Sequence, residues 1–357
     1  MGKKVRIAVV GLNFGSCFAS IYQAHPDVEL VGLCDSNEER LREAGDRLRV
    51  QSRHADLAEV LAGDQYNAVH ICTPFTTHAP LCIRVMKAGK HCASAVPMGM
   101  TLEELRSVAA AQKGARVNYM MMETGIYHHV YLYAKELYRN GALGRIQLLR
   151  GTHSQDLEGL GDVWMGFPPM LYITHAISPL LDIADTRATK VHCLGSGTMR
   201  EELVKNYGNP YPAATALFRL AGTSATIEIT RTAFEIAPYG GEGFGVYGSD
   251  GSFMAFQGCW MNRMSPLVPG KSRGCQEEKN IHPPYRGDLL PQEIRAFAEG
   301  GHGESHAHLV HEFVRSIAES RPPYIDARRA ANWCAPGICA NESMLQEGEG
   351  VVVPVIE

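Results

Sequence analysis

The stretch Val5-Arg-Ile-Ala-Val-Val-Gly-Leu-Asn-Phe-Gly-Ser16 decides the fold. Its first six residues form a short run rich in β-branched side chains, which is typical of a buried parallel strand. A glycine turn follows, and Phe14–Ala24 then predicts a helix that ends before Pro26. A strand that passes through a glycine turn into a helix is the usual beginning of a parallel α/β sheet.

The same alternation continues along the first third of the chain. Further strands are predicted at Val28–Cys34, Asn67–Cys72, His91–Ser94 and Ala115–Met122. The helices between them are predicted at Asn37–Arg49, Thr77–Ala88 and Thr101–Gln112, the last opened by a capping box of Thr101 and Glu104. This pattern predicts an α/β fold whose N-terminal part is a Rossmann domain, a doubly wound parallel sheet with helices on both faces.

The second half of the chain is richer in strands. After a helix at Tyr127–Asn140, strands are predicted at Arg145–His153, Ala213–Arg219, Ser224–Arg231, Gly243–Tyr247 and Ser252–Phe256, with a hairpin turn at Ser249-Asp-Gly251. An irregular loop is expected over Met261–Leu290, then helices at His306–Glu319 and Arg328–Gln346 and a strand at Val351–Val355. We therefore expect an α+β domain with a mostly antiparallel open sheet. The predicted division is 1–123 and 124–357, with the last helices packing back on the first domain.

Composition narrows the class of protein. The chain has 357 residues, 45% of them hydrophobic, which is ample for two packed cores. A net charge of -4 argues against nucleic-acid binding. No run approaches the roughly 18 apolar residues of a membrane span. The 10 cysteines include no C-x-x-C pair and accompany no export signal. We expect reduced structural thiols in a cytoplasmic protein.

The glycine turn is a candidate dinucleotide site. A full fingerprint has glycines at positions 11, 13 and 16, whereas this chain has Gly11, Asn13 and Ser16, with Gly15 as an extra small residue. We expect Gly11, Asn13, Phe14 and Gly15 to bind a pyrophosphate at the start of the helix. Asp35 ends the second strand, where a carboxylate holds the adenosine ribose and repels a 2′-phosphate. The predicted cofactor is therefore NAD.

Four further motifs, taken together, resemble the Gfo/Idh/MocA family of NAD(P)-dependent sugar oxidoreductases. They are Val69–Pro74 with His78, Ala88-Gly-Lys-His91, Gly141–Ile146, and Ser305–Asp326 followed by Trp333. The resemblance implies that Thr73, Pro74, His78 and Pro97 lie at the cofactor. It also implies a small-molecule sugar or glycoside as substrate, and a homo-oligomer, dimer or tetramer, formed through the sheet of the second domain.

Two departures from the family pattern stand out. The family has Glu-Lys-Pro after A-G-K-H, and the matching residues here are Ala95-Val96-Pro97, so the usual lysine is replaced by Val96. The family aspartate four residues before the catalytic histidine is replaced by Leu171. The segment Tyr172-Ile-Thr-His175 is similar to one in NAD-dependent glycoside hydrolases on the same fold, the α-N-acetylgalactosaminidase group.

The candidate catalytic residues follow from this alignment. His175 matches the family's catalytic histidine, and an imidazole titrates near neutral pH, as a general base should. Tyr172 would share a helical face with it. Glu123 ends the last strand of the first domain, at the edge where α/β sheets bind ligands.

The candidate substrate-binding residues are Asp156, Trp164, His302 and His306. A divalent-metal site among these histidines with His153 and His175 is an alternative, but no acid or cysteine stands at ligand spacing and no metal is predicted. His308 and His311 are expected on a solvated helix face.

Three hypotheses for function remain open. The first is an NAD-dependent sugar dehydrogenase that oxidises a secondary hydroxyl, with C3 as the carbon considered. The second is a redox-neutral NAD-dependent glycoside hydrolase acting by transient oxidation and elimination. The third is a dinucleotide-binding sensor that has lost its chemistry together with the lysine.

Overall fold

The computed structural model describes residues 4–237, 241–299 and 304–357. Within that range, in chain order, the strands are β1 (Val5–Val10), β2 (Val28–Cys34), β3 (Arg53–His54), β4 (Ala68–Ile71), β5 (His91–Ser94), β6 (Tyr119–Met121), β7 (Ile146–Ser154), β8 (Ala188–Ser196), β9 (Ala213–Leu220), β10 (Thr226–Thr232), β11 (Glu242–Gly248), β12 (Gly251–Ala255), β13 (Cys259–Met264), β14 (Cys275–Ile281) and β15 (Val351–Val352). The helices are α1 (Leu12–Ala24), α2 (Glu38–Leu48), α3 (Leu57–Leu61), α4 (His78–Lys87), α5 (Leu102–Ala115), α6 (His129–Arg139), α7 (Thr174–Ile183), α8 (Glu201–Val204), α9 (Glu304–Ala318) and α10 (Ala327–Leu345).

The chain divides into two compact units. Unit 1 holds the described residues of Met1–Tyr127, Tyr285–Ala331 and Ile356–Glu357, and unit 2 holds those of His128–Pro284 and Asn332–Val355. The domain boundary drawn from the sequence at residue 123 stays a prediction.

Unit 1 contains a parallel sheet in the order β3-β2-β1-β4-β5-β6. Every side chain of β4 is buried, and β1 has only Arg6 half-buried, because helices cover both faces of this sheet. The helix ends carry the expected caps: Asn37 accepts from the Arg40 amide, and Thr101 and Glu104 form the capping box. The Rossmann prediction is confirmed.

Unit 2 contains a sheet in the order β14-β13-β12-β11-β7-β10-β9-β8-β15. Only β7 and β10 pair in parallel, and all the other neighbours are antiparallel. The mostly antiparallel sheet is therefore confirmed, as is the hairpin turn at Ser249 and Asp250 between β11 and β12.

One helix packs very closely on this sheet. A Cβ added to Gly151 of β7 would lie 2.7 Å from the Ala176 carbonyl oxygen of α7. The glycine therefore permits the approach of α7, the helix that carries His175.

The structure corrects several local predictions. Met261–Leu290 is not an irregular loop throughout, because it contributes most of β13 and all of β14, which pair as an antiparallel hairpin. No residue of these two strands is buried, and their sequences, CWMNRM and CQEEKNI, lack the polar–apolar alternation that predicts a strand. Ala115 ends α5 rather than starting a strand, since Arg116 closes that helix with φ 56°. Strand β8 was missed.

Two predictions for histidines of α9 are also wrong. His308 is not on a solvated face, because it is 7% exposed and stacks on Tyr127 at 6.1 Å between ring centroids. His311 is half-buried against His25, with 3.0 Å between its Nδ1 and the partner's Nε2. His302 lies outside the described residues.

Candidate functional site

The candidate residues form two sets, one in each unit. In unit 1 the glycine turn joins β1 to α1 as the sequence predicts. Gly11 has φ 89°, and a Cβ there would lie 2.7 Å from the backbone of Cys72. A Cβ on Gly15 would lie 2.8 Å from Val9 Cγ1, so both positions require glycine. The turn brings α1 tightly against the sheet and exposes Asn13 and Phe14 on its first turn.

This turn fits the pyrophosphate of a dinucleotide. Gly11 precedes α1 and has no side chain with which to cap the helix, so the Asn13 and Phe14 amides that follow Leu12 can donate to an anionic ligand. The partial positive charge of the helix end acts in the same direction. Asn13 and Ser16 stand where the full fingerprint has glycines, and Asn13 is exposed and Ser16 half-exposed.

The Asp35 side chain accepts several hydrogen bonds beside the glycine turn. Its carboxylate accepts from the Leu12 amide at 2.8 Å and from the Asn37 amide at 2.9 Å. Arg40 Nη1 lies 3.2 Å from Oδ2 of the same carboxylate, which is 5% exposed. Asp35 thus fixes the glycine turn, and Arg40 forms the wall of a cleft of about 490 Å³ that Asn13 and Ser16 also line.

The Thr73-Pro74 turn after β4 is fastened by His78. The His78 imidazole lies 2.8 Å from the Thr73 carbonyl oxygen through Nε2 and 2.8 Å from the Pro97 carbonyl oxygen through Nδ1. Burial lowers the pKa of His78, and the two carbonyls act against that shift. With 1% exposure, His78 holds Pro97 beside the turn rather than presenting its ring outward. Val96, in the position of the family lysine, is 9% exposed.

Two other candidates lie in unit 1. Glu123 follows β6, is fully buried, and accepts from the Gly125 amide at 2.9 Å. His306 of α9 packs against α1, with its ring centroid 4.3 Å from that of Phe18 and its Nδ1 3.7 Å from Cys17 Sγ. His306 is therefore connected to the helix of the glycine turn.

In unit 2 the structure brings Tyr172 and His175 together. Tyr172 ends a short 3-10 turn at Pro169–Tyr172, and His175 is the second residue of α7. The Tyr172 hydroxyl lies 3.3 Å from His175 Nε2. The two rings meet edge to face at 5.2 Å between centroids, so the phenol and the imidazole can share a proton.

More aromatic rings surround this pair. Trp164 lies 5.2 Å from Tyr172 and is half-buried, whereas His153 of β7 lies 5.5 Å from His175. Asp156, by contrast, is exposed and accepts from the Glu158 amide at 3.0 Å within its own loop. The cluster offers flat apolar faces and one hydroxyl–imidazole pair, which suits a sugar ring.

A buried cation lies next to the cluster and was missed in the sequence. Arg231 is fully buried and donates to the His153 carbonyl at 3.0 Å and to Gln155 Oε1 at 3.1 Å. Its guanidinium carbon lies 5.9 Å from the Tyr172 ring centroid. Burial lowers the pKa of Arg231 to about 10, so it keeps its charge at neutral pH. The alternation of β10 could have revealed it, since Arg231 shares the inward face of Ile227 and Ile229.

The class of protein is set by unit 1 and by a match over its sequence. Residues 5–123 match the model of the oxidoreductase family with an NAD-binding Rossmann fold. The protein is therefore an enzyme that uses NAD, as the sequence predicted.

Two relatives and two solved structures are similar to the chain as a whole or over most of it. It is 25% identical to a glycosyl hydrolase family 109 protein of Stenotrophomonas maltophilia over 94% of this chain and 85% of that protein. It is 27% identical to the alpha-N-acetylgalactosaminidase of Bacteroides fragilis over 62% of this chain and 60% of that protein.

The solved structures show the shared fold. The levoglucosan dehydrogenase in complex with NADH and levoglucosan superposes with a TM-score of 0.79 at 22% identity, over 99% of this chain and all (100%) of the other. The NAD-binding oxidoreductase from Klebsiella pneumoniae superposes with a TM-score of 0.82 at 18% identity, over 98% and 99% of the two chains.

No helix among the residues described is both long enough and apolar enough to cross a membrane.

Proposed function

We propose that this enzyme oxidises a secondary hydroxyl of a sugar or glycoside with NAD. The observation that carries the proposal is the contact of 3.3 Å between the Tyr172 hydroxyl and His175 Nε2 in an enzyme of NAD-binding class. When bound, NAD would accept the hydride. The protein's part is to bind the sugar, to orient its C–H bond and to take the hydroxyl proton.

The proton chemistry is assigned to unit 2. The hydroxyl of the substrate donates to Tyr172 or directly to His175, and the imidazole holds the proton as the C–O bond becomes a carbonyl. Trp164 provides a flat face for the sugar ring, and His306 and Glu123 stay candidates for orienting hydroxyl groups. In unit 1, Gly11, Asn13, Phe14 and Gly15 would bind the pyrophosphate, Asp35 and Arg40 the adenosine end, and the Thr73-Pro74 turn the nicotinamide.

Redox-neutral glycoside hydrolysis is the second candidate, and Val96 favours it. A valine side chain cannot donate a hydrogen bond or carry a proton, so Val96 cannot perform the role of the lysine that the family has at this position. The relatives include proteins named as glycosyl hydrolase family 109 and as an alpha-N-acetylgalactosaminidase. In this scheme a transient ketone acidifies the adjacent C–H bond, the aglycone is eliminated, water adds, and the ketone is reduced again.

Two probes separate the candidates. Levoglucosan is the probe for the dehydrogenase hypothesis, and 4-nitrophenyl N-acetyl-α-galactosaminide is the probe for the hydrolase hypothesis. Net NADH formation, followed by its near-ultraviolet absorbance, supports oxidation. Nitrophenol release without net NADH, with substrate C–H exchange in heavy water, supports hydrolysis. A protein that binds NAD in a calorimeter but transforms neither these probes nor a broad panel of sugars contradicts both and leaves the sensor hypothesis.

We also propose a homo-oligomer formed through the open face of the unit 2 sheet. Leu194 of β8 and Leu217 of β9 are 61% and 51% exposed there, which is unusual for leucine on a regular sheet. β8 and β9 are neighbouring strands, and Leu194 is paired with Thr215 and Leu217 with His192. Light scattering tests the proposal: a dimer or tetramer should become smaller when both leucines are replaced by Asp.

A cytoplasmic location completes the proposal. Seven of the 10 cysteines are buried thiols, which suits a reducing compartment. Fractionation of cells that express the protein tests this.

A further inference from the structure

Three side chains form one row across the inner face of the unit 2 sheet. Arg231 of β10 is paired with His153 of β7, and His153 is in turn paired with Glu242 of β11. Residues directly opposite each other on neighbouring strands present their side chains to the same face. The row therefore runs cation, imidazole, carboxylate, with the imidazole in the middle.

The two ends of the row differ in their access to water. Arg231 is fully buried, and the His153 side chain is 6% exposed, whereas the Glu242 side chain is 38% exposed. His153 Nε2 lies 3.8 Å from Glu242 Oε1. That gap is longer than a direct hydrogen bond, and a small side-chain rotation would close it.

The middle of the row lies beside the candidate catalytic pair. The His153 ring centroid lies 5.5 Å from that of His175 and 6.0 Å from that of Tyr172. Side chains thus follow one another from the Tyr172 hydroxyl through His175 and His153 to a carboxylate that reaches solvent.

The charges give this sequence a direction. A proton on either imidazole would stand near the Arg231 cation, and like charges repel strongly where water is excluded. The Glu242 carboxylate attracts the same proton from the other side. Both charges therefore favour a proton on the side of the His153 ring that faces Glu242.

We propose that His153 and Glu242 conduct to solvent the proton that the substrate releases at Tyr172 and His175. The inference rests on the proposed function. The substrate O–H bond breaks, its proton passes to His175, then to His153 and from His153 Nε2 to a Glu242 oxygen, and bulk water or buffer removes it. The electron pair of the C–H bond leaves as hydride to NAD, so charge and atoms balance. The same path returns a proton when a ketone is reduced.

Buffer dependence tests the path. In the full-length enzyme with NAD, and with whichever of the two probes above it transforms, kcat should not depend on imidazole concentration at constant ionic strength. Glu242→Gln should lower kcat about tenfold, within the range that proton-transfer groups supply. Added imidazole should restore it in proportion to concentration, and Glu242→Asp should need no rescue. Glu228→Gln, on β10 of the same sheet, is the matched control and should behave as wild type.

A second readout does not require turnover. Imidazole NMR signals of His153, assigned with His153→Gln, should show a lower titration midpoint in Glu242→Gln than in wild type, and no change in Glu228→Gln. An enzyme inactive on all probes refutes the proposed function, and with it the inference. An active enzyme whose Glu242→Gln variant keeps its rate, its buffer independence and its His153 midpoint overturns the proton path alone.

Discussion

The Tyr172 hydroxyl lies 3.3 Å from His175 Nε2, and this contact joins a 3-10 turn to the first turn of α7. Gly151 permits the close approach of β7 to α7, the helix that carries this imidazole. A phenol and an imidazole at this distance can pass one proton between them. This pair is the feature on which the proposed oxidation depends most directly.

Removal of the imidazole should abolish most of the activity. We expect His175→Ala to lower kcat/KM by about 10²–10⁴-fold, the range that a general base contributes. Tyr172→Phe should lower it less, because it leaves the imidazole in place. Tyr138→Phe on α6 is the matched control and should keep wild-type rates. Full activity of His175→Ala on every substrate would show that the chemistry lies elsewhere.

The charge of Asp35 should matter for cofactor binding. Asp35→Asn keeps the shape but weakens its bonds to the Leu12 amide and Arg40, so the glycine turn loses its fixed position. We expect NAD to bind about tenfold more weakly, measured by calorimetry, since charged hydrogen bonds contribute ~1.5–3 kcal/mol. The control is Asp46→Asn, a substitution at an exposed residue of α2. Equal NAD affinity in both variants would contradict this role for Asp35.

Glycine at position 11 should be essential for the turn. Gly11→Ala places a Cβ 2.7 Å from the Cys72 backbone at φ 89°, so the turn must shift. We expect a loss of ~1–3 kcal/mol in the free energy of unfolding, together with weaker NAD binding. The matched control is Gly114→Ala in α5, where a Cβ meets nothing within 4 Å. That variant should be neutral or up to ~1 kcal/mol more stable, because alanine favours helices.

Acid should destabilise unit 1 through buried histidines. Burial, and then the neighbouring His311, lower the pKa of His25 to about 4, and burial lowers that of His308 to about 4 as well. In the unfolded chain the His25 imidazole binds a proton as the pH falls below its ordinary pKa of about 6.5, whereas in the folded chain it does so only near pH 4. Stability is therefore complete above pH ~6.5 and falls as the pH decreases toward 4, by up to ~3 kcal/mol for His25.

Urea unfolding at several pH values checks this dependence. His25→Gln should reduce the slope of unfolding free energy against pH between 6.5 and 4. His282→Gln, on an exposed loop residue, should leave the slope unchanged. The prediction fails if wild type and His25→Gln lose stability in parallel.

The sequence predicted unit 1 in detail because its signals are local. Buried parallel strands such as β1 and β4 are apolar along their whole length, and caps such as Thr101 with Glu104 lie within one turn. The glycine turn and the Tyr172–His175 spacing were visible for the same reason. The hairpin of β13 and β14 was not, since its exposed strands lack the polar–apolar alternation that predicts a strand.

What the sequence determined by itself was the alternation of strands and helices in the Rossmann sheet, the NAD-binding class and the candidate pair Tyr172 and His175. Only the tertiary structure placed Arg231, His153 and Glu242 in one row across three strands. Strand register sets that row, and register depends on pairing between segments separated by some 80 residues along the chain. The same pairing buries Arg231 of β10. Because water is excluded there, the charge of Arg231 acts more strongly on the neighbouring side chains than it would at the surface.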